Sequence, residues 1–110
     1  MTNENEAGRM MSVIDAGHRY DLHNVGEGIQ SLIFIKKEPV EGTTELKTVQ
    51  EGTTNEAVLQ VLIHRLKCLQ EKMPHYLNES AINHLEIALG RLEERTKERK
   101  MRGVEGTHQA

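Results

Sequence analysis

Arginine side chains near the carboxyl end of the sequence have the chemistry and the spacing to bind phosphate groups. Between residues 91 and 102, six basic residues stand against three acidic ones, in a chain whose formal net charge is −3. A guanidinium binds phosphate oxygens through two parallel hydrogen bonds. Each charge-assisted bond contributes about 1.5–3 kcal/mol. The candidate ligand-binding residues of this segment are Arg91, Arg95, Thr96, Arg99 and Arg102.

These arginines continue the apolar stripe of a predicted helix. Leu85, Leu89 and Leu92 recur at helical spacing, and the next inward positions are Arg95 or Thr96, followed by Arg99. If copies of the chain pack along this stripe, guanidinium groups converge in a partly enclosed space. An anionic ligand then removes the cost of burying them unpaired. The alternative is a solvated charged face, since basic residues also complement the dipole at a helix C-terminus.

A second set of candidate residues lies in the predicted connection between two helices. Tyr76 and Asn78 are predicted at the end of a helical hairpin opposite to Arg99, and an antiparallel neighbour would bring the two ends together. The alternative is that this segment, with His75, is only a loop followed by a helix cap.

Other residue types give no catalytic or metal-binding pattern. The six histidines show no metal-ligand spacing, and Cys68 has no neighbouring motif, so we expect a packing role for it. A P-loop, a glycine-rich dinucleotide motif and a serine elbow are missing from the sequence. We therefore predict a protein that is not an enzyme and that has no metal and no cofactor.

Composition narrows the class further. A single cysteine excludes an internal disulfide framework and fits a reducing cytosol. The negative net charge argues against a general nucleic-acid-polymer binder, and no apolar run reaches the roughly 18 residues of a membrane span. A core limited by 110 residues and 36% hydrophobic content favours completion of the fold by further copies of the chain.

The predicted architecture is α+β: a small N-terminal antiparallel β-sheet followed by a long antiparallel helical hairpin, as a homo-oligomer. Residues 1–11 are predicted to be a flexible arm and residues 12–52 a β region. Its clearest strand is 29–37, which pairs with 18–25, and 45–49 is a weaker third strand.

The hairpin is predicted over residues 53–102, with helices at about 53–73 and 79–102. The sequence Thr53-Thr54-Asn55-Glu56 is a capping box, and Pro74 ends the first helix. Asn78 or Ser80 caps the second helix, Gly103 follows its end, and residues 103–110 form a tail.

The hairpin residues resemble a known family. TTNEAVLQVLIHRLKCLQEKMP, followed by NHLEIALGRLEERTKERKMRGVEGTH, resembles the helical hairpin of the phage cyclic-nucleotide sponges, the Thoeris anti-defence and anti-CBASS proteins. The resemblance covers about residues 53–108, and its most specific piece is the final RxxRGVEGTH. The upstream HRYDLHN and QSLIFIKK resemble the β portion of the Thoeris-directed branch.

The resemblance implies a phage-encoded protein of the host cytoplasm that sequesters a signalling nucleotide without catalysis. The implied ligands are a cyclic ADP-ribose isomer or a cyclic di- or trinucleotide, and the implied assembly is a homo-hexamer. Arg95 is the first choice for the ligand-binding arginine, Arg99 the second, and Asn78 the polar partner. The family pattern has an aromatic residue late in helix one, where this chain has Cys68 or Leu69, so base stacking requires Tyr76 or Phe34.

A different interpretation of the same features is an oligomeric helical scaffolding protein, whose basic helix end contacts a protein or nucleic-acid partner. A small nucleotide-cleaving hydrolase is least favoured, since the sequence contains no acid–base pair in a recognisable setting.

Overall fold

A computed structural model of the chain describes residues 10–103 and Thr107. The predicted arm, residues 1–11, lies outside the described residues except for Met10 and Met11, as does the tail except for Gly103 and Thr107. The fold is α+β, as predicted, with a small antiparallel β region followed by two helices. The elements are β1 (Met11–Asp15), β2 (Arg19–His23), β3 (Ile29–Ile33), β4 (Lys36–Pro39), β5 (Leu46–Gln50), α1 (Asn55–Lys72) and α2 (Tyr76–Met101).

Strands β1, β2 and β3 form an antiparallel meander with one largely apolar face and one face that mixes polar residues with Ile29 and Ile33. The cross-strand partners Met11–Leu22 and Val13–Tyr20 share the apolar face because directly opposed residues point the same way. On the other face Ser31 Oγ donates to Asp21 Oδ1 at 3.1 Å. Gly17, at φ +83°, makes the first turn in a conformation that favours glycine.

The β region differs from the prediction in three places. The predicted strand 29–37 is divided into β3 and β4, because Ile33 O accepts from Thr53 N and Ile35 N donates to Thr53 O instead of continuing the ladder. The predicted third strand, 45–49, is β5, which pairs with β4 in a separate two-stranded sheet. Strand β1 was not predicted at all, and its bulge between Val13 and Asp15 interrupts the alternation that indicates a strand.

Helix α1 begins at the predicted threonines. Thr54 is the N-cap, in extended conformation, and its hydroxyl accepts from Ala57 N at 3.2 Å. The capping box is therefore only half present, because the residue three positions after the cap is Ala57 and not a glutamate. The helix ends at Lys72, one residue before the Met73 cap and two before Pro74.

Helix α2 begins earlier than predicted. Its N-cap is His75, whose ring Nδ1 accepts from Leu77 N at 3.1 Å, and not Asn78 or Ser80. The prediction failed because histidine is an uncommon cap, while Asn and Ser are common ones. The helix ends at Met101, and Gly103, at φ +74°, follows it as predicted.

The described residues group into two compact units. The first, called the β unit below, holds the residues up to Lys37 together with Thr48–Thr53, and the second holds Glu38–Lys47 and the residues from Thr54 onward. Within the second unit, α1 and α2 form an antiparallel hairpin. Among the described residues only Ile63 and Ile82 are buried hydrophobics, at 8% and 7% exposure.

Candidate functional site

The last turns of α2 carry the predicted arginine cluster, called the basic end below (residues 91–102). From Ile82 onward, the buried and half-buried positions of α2 are Ile82, Leu85, Leu89, Gly90, Leu92, Thr96 and Arg99. Thr96 and Arg99 therefore continue the packing seam against α1, and Arg95 is exposed. The sequence left Arg95 and Thr96 as alternatives for the inward position, and in the structure Thr96 occupies it.

Two arginines of the basic end are paired with glutamates of the same helix. Arg91 Nη1 donates to Glu94 Oε2 at 3.1 Å, and Arg102 Nη2 donates to Glu98 Oε2 at 3.2 Å. All four side chains are about half exposed or more. Exposed pairs of this kind contribute about 0–1 kcal/mol, so both arginines exchange partners at low cost.

Arg99 has a structural role that the sequence did not indicate. Its Nη2 donates to the carbonyl oxygen of Thr107 at 3.0 Å in a partly buried setting. Thr107 in turn forms an antiparallel bridge with Glu45. Arg99 therefore helps to hold Thr107 beside Glu45, in the segment before β5. Because Glu45 and Thr107 are 62 residues apart, no local sequence pattern predicts this contact.

Arg95, the first choice from the sequence, differs from the other arginines of the basic end in having no protein partner among the described residues. Within residues 10–103 and Thr107 it makes no hydrogen bond and no ion pair. A guanidinium without a protein partner presents its full set of donors to a phosphate or carboxylate.

Thr96 lies in a shallow groove between the start of α1 and the end of α2. The groove is lined by Glu56, Glu93, Thr96, Lys97 and Lys100. The two lysines were not among the predicted site residues, although Lys100, four positions after Thr96, lies beside it on the helix. The groove is mixed in charge, with two carboxylates against two ammonium groups.

The other predicted residues lie at the turn of the hairpin. Tyr76 stacks on His75 with ring centroids 4.8 Å apart and 20° between the planes. Asn78 is half buried in the first turn of α2, and its N–H donates to His75 O at 3.0 Å. The Asn78 side chain makes no hydrogen bond within the described part of the chain, so its amide is available to a ligand or a partner.

A single chain does not bring these two groups together. Nineteen residues of one helix separate Tyr76 from Arg95, which at 1.5 Å per residue is about 28 Å. A site that uses both groups therefore needs more than one copy of the chain.

One side of the hairpin is apolar and partly exposed among the residues that the structure describes. We call it the apolar side. Leu62 directly precedes the buried Ile63, and Ala81 directly precedes the buried Ile82. Because successive residues of a helix are 100° apart, the apolar side lies about 100° from the packing seam on both helices, in the same rotational sense. In an antiparallel pair these two flanks face the same way. Its exposed members are Leu62, Leu69 and the cap residue Met73 on the first helix and Leu77, Ala81 and Ala88 on the second, and the half-buried Leu66, Leu85 and Leu92 lie between them and the packing seam. Met73 is 78% exposed and Leu77 is 57% exposed, and Arg95 follows Leu92 at the end of this side.

Among residues 10–103 and Thr107, no group of three or more His, Cys, Asp and Glu side chains is placed to hold a metal ion. Neither α1 nor α2 has an apolar stretch long enough to span a bilayer.

No family model matches the sequence, and a search of curated proteins gives no match either.

Proposed function

We propose that this chain is a non-catalytic protein that binds a cyclic nucleotide immune signal and sequesters it, in the manner of the phage cyclic-nucleotide sponges that its sequence resembles. The ligand is a cyclic ADP-ribose isomer or a cyclic di- or trinucleotide. The protein acts as a homo-oligomer, a hexamer in the family it resembles, in the cytoplasm of the phage-infected host. The signal is blocked because bound nucleotide does not reach the Thoeris or CBASS effector.

The observation that carries this proposal is the setting of Arg95. Its guanidinium has no partner among the described residues and stands at the end of the apolar side of the hairpin. Copies that cover the apolar side bring Arg95 into a sheltered space, where a phosphate contact is stronger than in bulk water. Asn78, with an unengaged side chain within the described residues, is the polar partner supplied by the opposite end of a hairpin.

Titration calorimetry tests the proposal with three probes: glycocyclic ADP-ribose, a cyclic dinucleotide and a cyclic trinucleotide. We expect at least one to bind and to raise the thermal unfolding temperature by mass action on the native state. Heating the complex and recovering the nucleotide then separates binding from cleavage. A sponge returns it intact, whereas products in the supernatant would show an enzyme.

The variant Arg95→Ala should weaken binding roughly 10- to 150-fold, the equivalent of one charge-assisted hydrogen bond. Arg19→Ala is the matched control, because it removes the same charge from the exposed surface of β2. Equal affinities for Arg95→Ala and the wild type, with the oligomer intact, would place the site elsewhere.

A second candidate function rests on the apolar side itself. An exposed row of leucines of this length is typical of an interaction surface, and a scaffolding protein with a basic partner-binding end needs no nucleotide. That function predicts no heat with any of the three probes and capture of a protein or nucleic-acid partner that Arg95→Ala abolishes.

A further inference from the structure

Cys68 lies on the outer face of α1, on the side away from the packing seam. The sequence predicted a packing role for this residue, but in the structure it is exposed. One helical turn earlier, His64 places its ring Nδ1 3.8 Å from Cys68 Sγ. In the tautomer that carries its proton on Nε2, the imidazole accepts the thiol proton. The single thiol of the sequence is therefore both accessible and next to a base.

Two cations flank this thiol along the same face of α1. Arg65 is three residues before Cys68 and Lys72 is four residues after it, so both neighbour the sulfur on the helix surface. Neither cation has a hydrogen-bond or ion-pair partner among the described residues. The thiol, both cations and His64 line one shallow groove, and none of the residues that line it is acidic. The groove therefore attracts an anionic ligand to the sulfur.

The spacing of these groups matches a small peptide with a central sulfur. Arg65 and Lys72 are seven residues apart, which is about 10 Å along the helix, and Cys68 lies near the midpoint. A tripeptide in extended conformation spans about 10 Å as well. Glutathione is a tripeptide with a central cysteine and a carboxylate at each end. Its sulfur therefore reaches Cys68 when its two carboxylates reach the two cations.

We propose that Cys68 is a modification site that exchanges reversibly with glutathione disulfide. Sγ attacks one sulfur of the disulfide while His64 Nδ1 takes the thiol proton. The disulfide bond breaks, a mixed disulfide between Cys68 and glutathione forms, and the departing sulfur takes the proton from His64 and leaves as free glutathione. One disulfide bond replaces another, so the step needs no further oxidant.

The cations act on the product as well as on the encounter. Arg65 and Lys72 pair with the carboxylates of the attached tripeptide, and a guanidinium binds a carboxylate through two parallel hydrogen bonds. The mixed disulfide with glutathione is therefore more stable than one with an uncharged thiol. The site uses none of the residues of the proposed nucleotide site and does not depend on that function.

Glutathione redox buffers test the role of the cations. The equilibrium constant of the exchange follows from the fraction of protein that gains one glutathione, read by intact mass spectrometry. Arg65→Gln/Lys72→Gln should lower this constant about three- to tenfold, because two exposed ion pairs are lost. With hydroxyethyl disulfide and its thiol, which are uncharged, the double variant should equal the wild type. An unchanged constant for glutathione would overturn the site.

Asn83 of α2 gives a matched control for position. It is exposed, and Glu79 and Glu86 stand four residues before it and three after it, which is the same spacing with the opposite charge. In Cys68→Ser/Asn83→Cys the constant for glutathione should fall below that of wild-type Cys68, while the hydroxyethyl constants agree. Equal glutathione constants at the two positions would show that exposure alone governs the exchange, and would overturn the site.

His64→Ala separates the rate of exchange from its equilibrium. The proton that His64 accepts is returned within the step, so the imidazole alters the rate and not the equilibrium constant. We expect the exchange to slow about tenfold with both glutathione disulfide and hydroxyethyl disulfide, with both constants unchanged. Circular dichroism verifies the helix content of this and the other variants. An unchanged rate would overturn the assignment of His64 as the base.

Discussion

The β unit and the helical hairpin are held together in different ways. In the β unit the decisive contacts are between backbone atoms: Thr53 is bonded through both its N–H and its carbonyl to the segment from Ile33 to Ile35. Its aromatic contact is a single edge-to-face pair, Tyr20 and Phe34, with ring centroids 6.1 Å apart. In the hairpin the decisive contacts are between side chains, along a seam with two buried isoleucines.

This difference determines where each region is sensitive to substitution. A seam of side chains is weakened by removing volume, because the cavity and the lost apolar contact both cost free energy. A region shaped by close backbone approach is weakened by adding volume, even one methyl group. The effect of introducing an alanine on stability therefore depends on the region and on whether the replaced residue is larger or smaller than alanine.

The largest expected effect is the removal of volume from the hairpin seam. Ile82→Ala should lower the free energy of unfolding by about 2–4 kcal/mol, measured by urea unfolding followed by far-ultraviolet circular dichroism. Ile87→Ala, on the exposed flank of the same helix, makes the same chemical change and should cost less than about 1 kcal/mol. Equal losses in the two variants would show that the seam does not hold the hairpin.

The next prediction compares one added methyl group in the two regions, where we expect opposite effects on stability. A Cβ on Gly52 would lie 2.6 Å from Ile35 N and 2.7 Å from Ile33 O, whereas nothing lies within 4 Å of a Cβ on Gly90 in α2. Gly52→Ala should therefore destabilise by about 1–3 kcal/mol. Gly90→Ala should stabilise by about 0.5–1 kcal/mol through helix propensity. Thermal unfolding of both variants beside the wild type measures the two signs. A Gly52→Ala variant as stable as the wild type would refute the close approach.

The difference between the two regions also explains why the sequence predicts the hairpin more accurately than the β unit. The hairpin was predicted with boundaries within about three residues, because the cap at Thr54, the apolar period and Pro74 are local signals. The β unit was predicted only as a class. The division of 29–37 into two strands depends on Thr53, some twenty residues away, and nothing in the strand itself indicates that partner.

The candidate site shows the same limit. Helical spacing placed the basic end on α2 and left Arg95 and Thr96 as alternatives, since they are adjacent and the packing angle of two helices is not in the sequence. The bond from Arg99 to Thr107 and the cap by His75 were missed. The first depends on a distant segment, and the second on a ring orientation that the residue type does not fix.

The smallest expected effect concerns the start of α2, where the structure and the sequence preference disagree. His75 accepts from Leu77 N and donates its own N–H to Gln70 Oε1 at 2.9 Å, so it ties the turn to α1 as well as capping α2. His75→Ala should lower the free energy of unfolding by about 0.5–1 kcal/mol, and His75→Asn should recover it because an amide oxygen is a better cap acceptor.

Ser80→Ala is the matched control. Ser80 is one of the two caps that the sequence suggested, but it lies inside the helix, where Ala is favoured. Urea unfolding measures the stability of all three variants beside the wild type. A larger loss in Ser80→Ala than in His75→Ala would move the helix start back to the position that the sequence favoured.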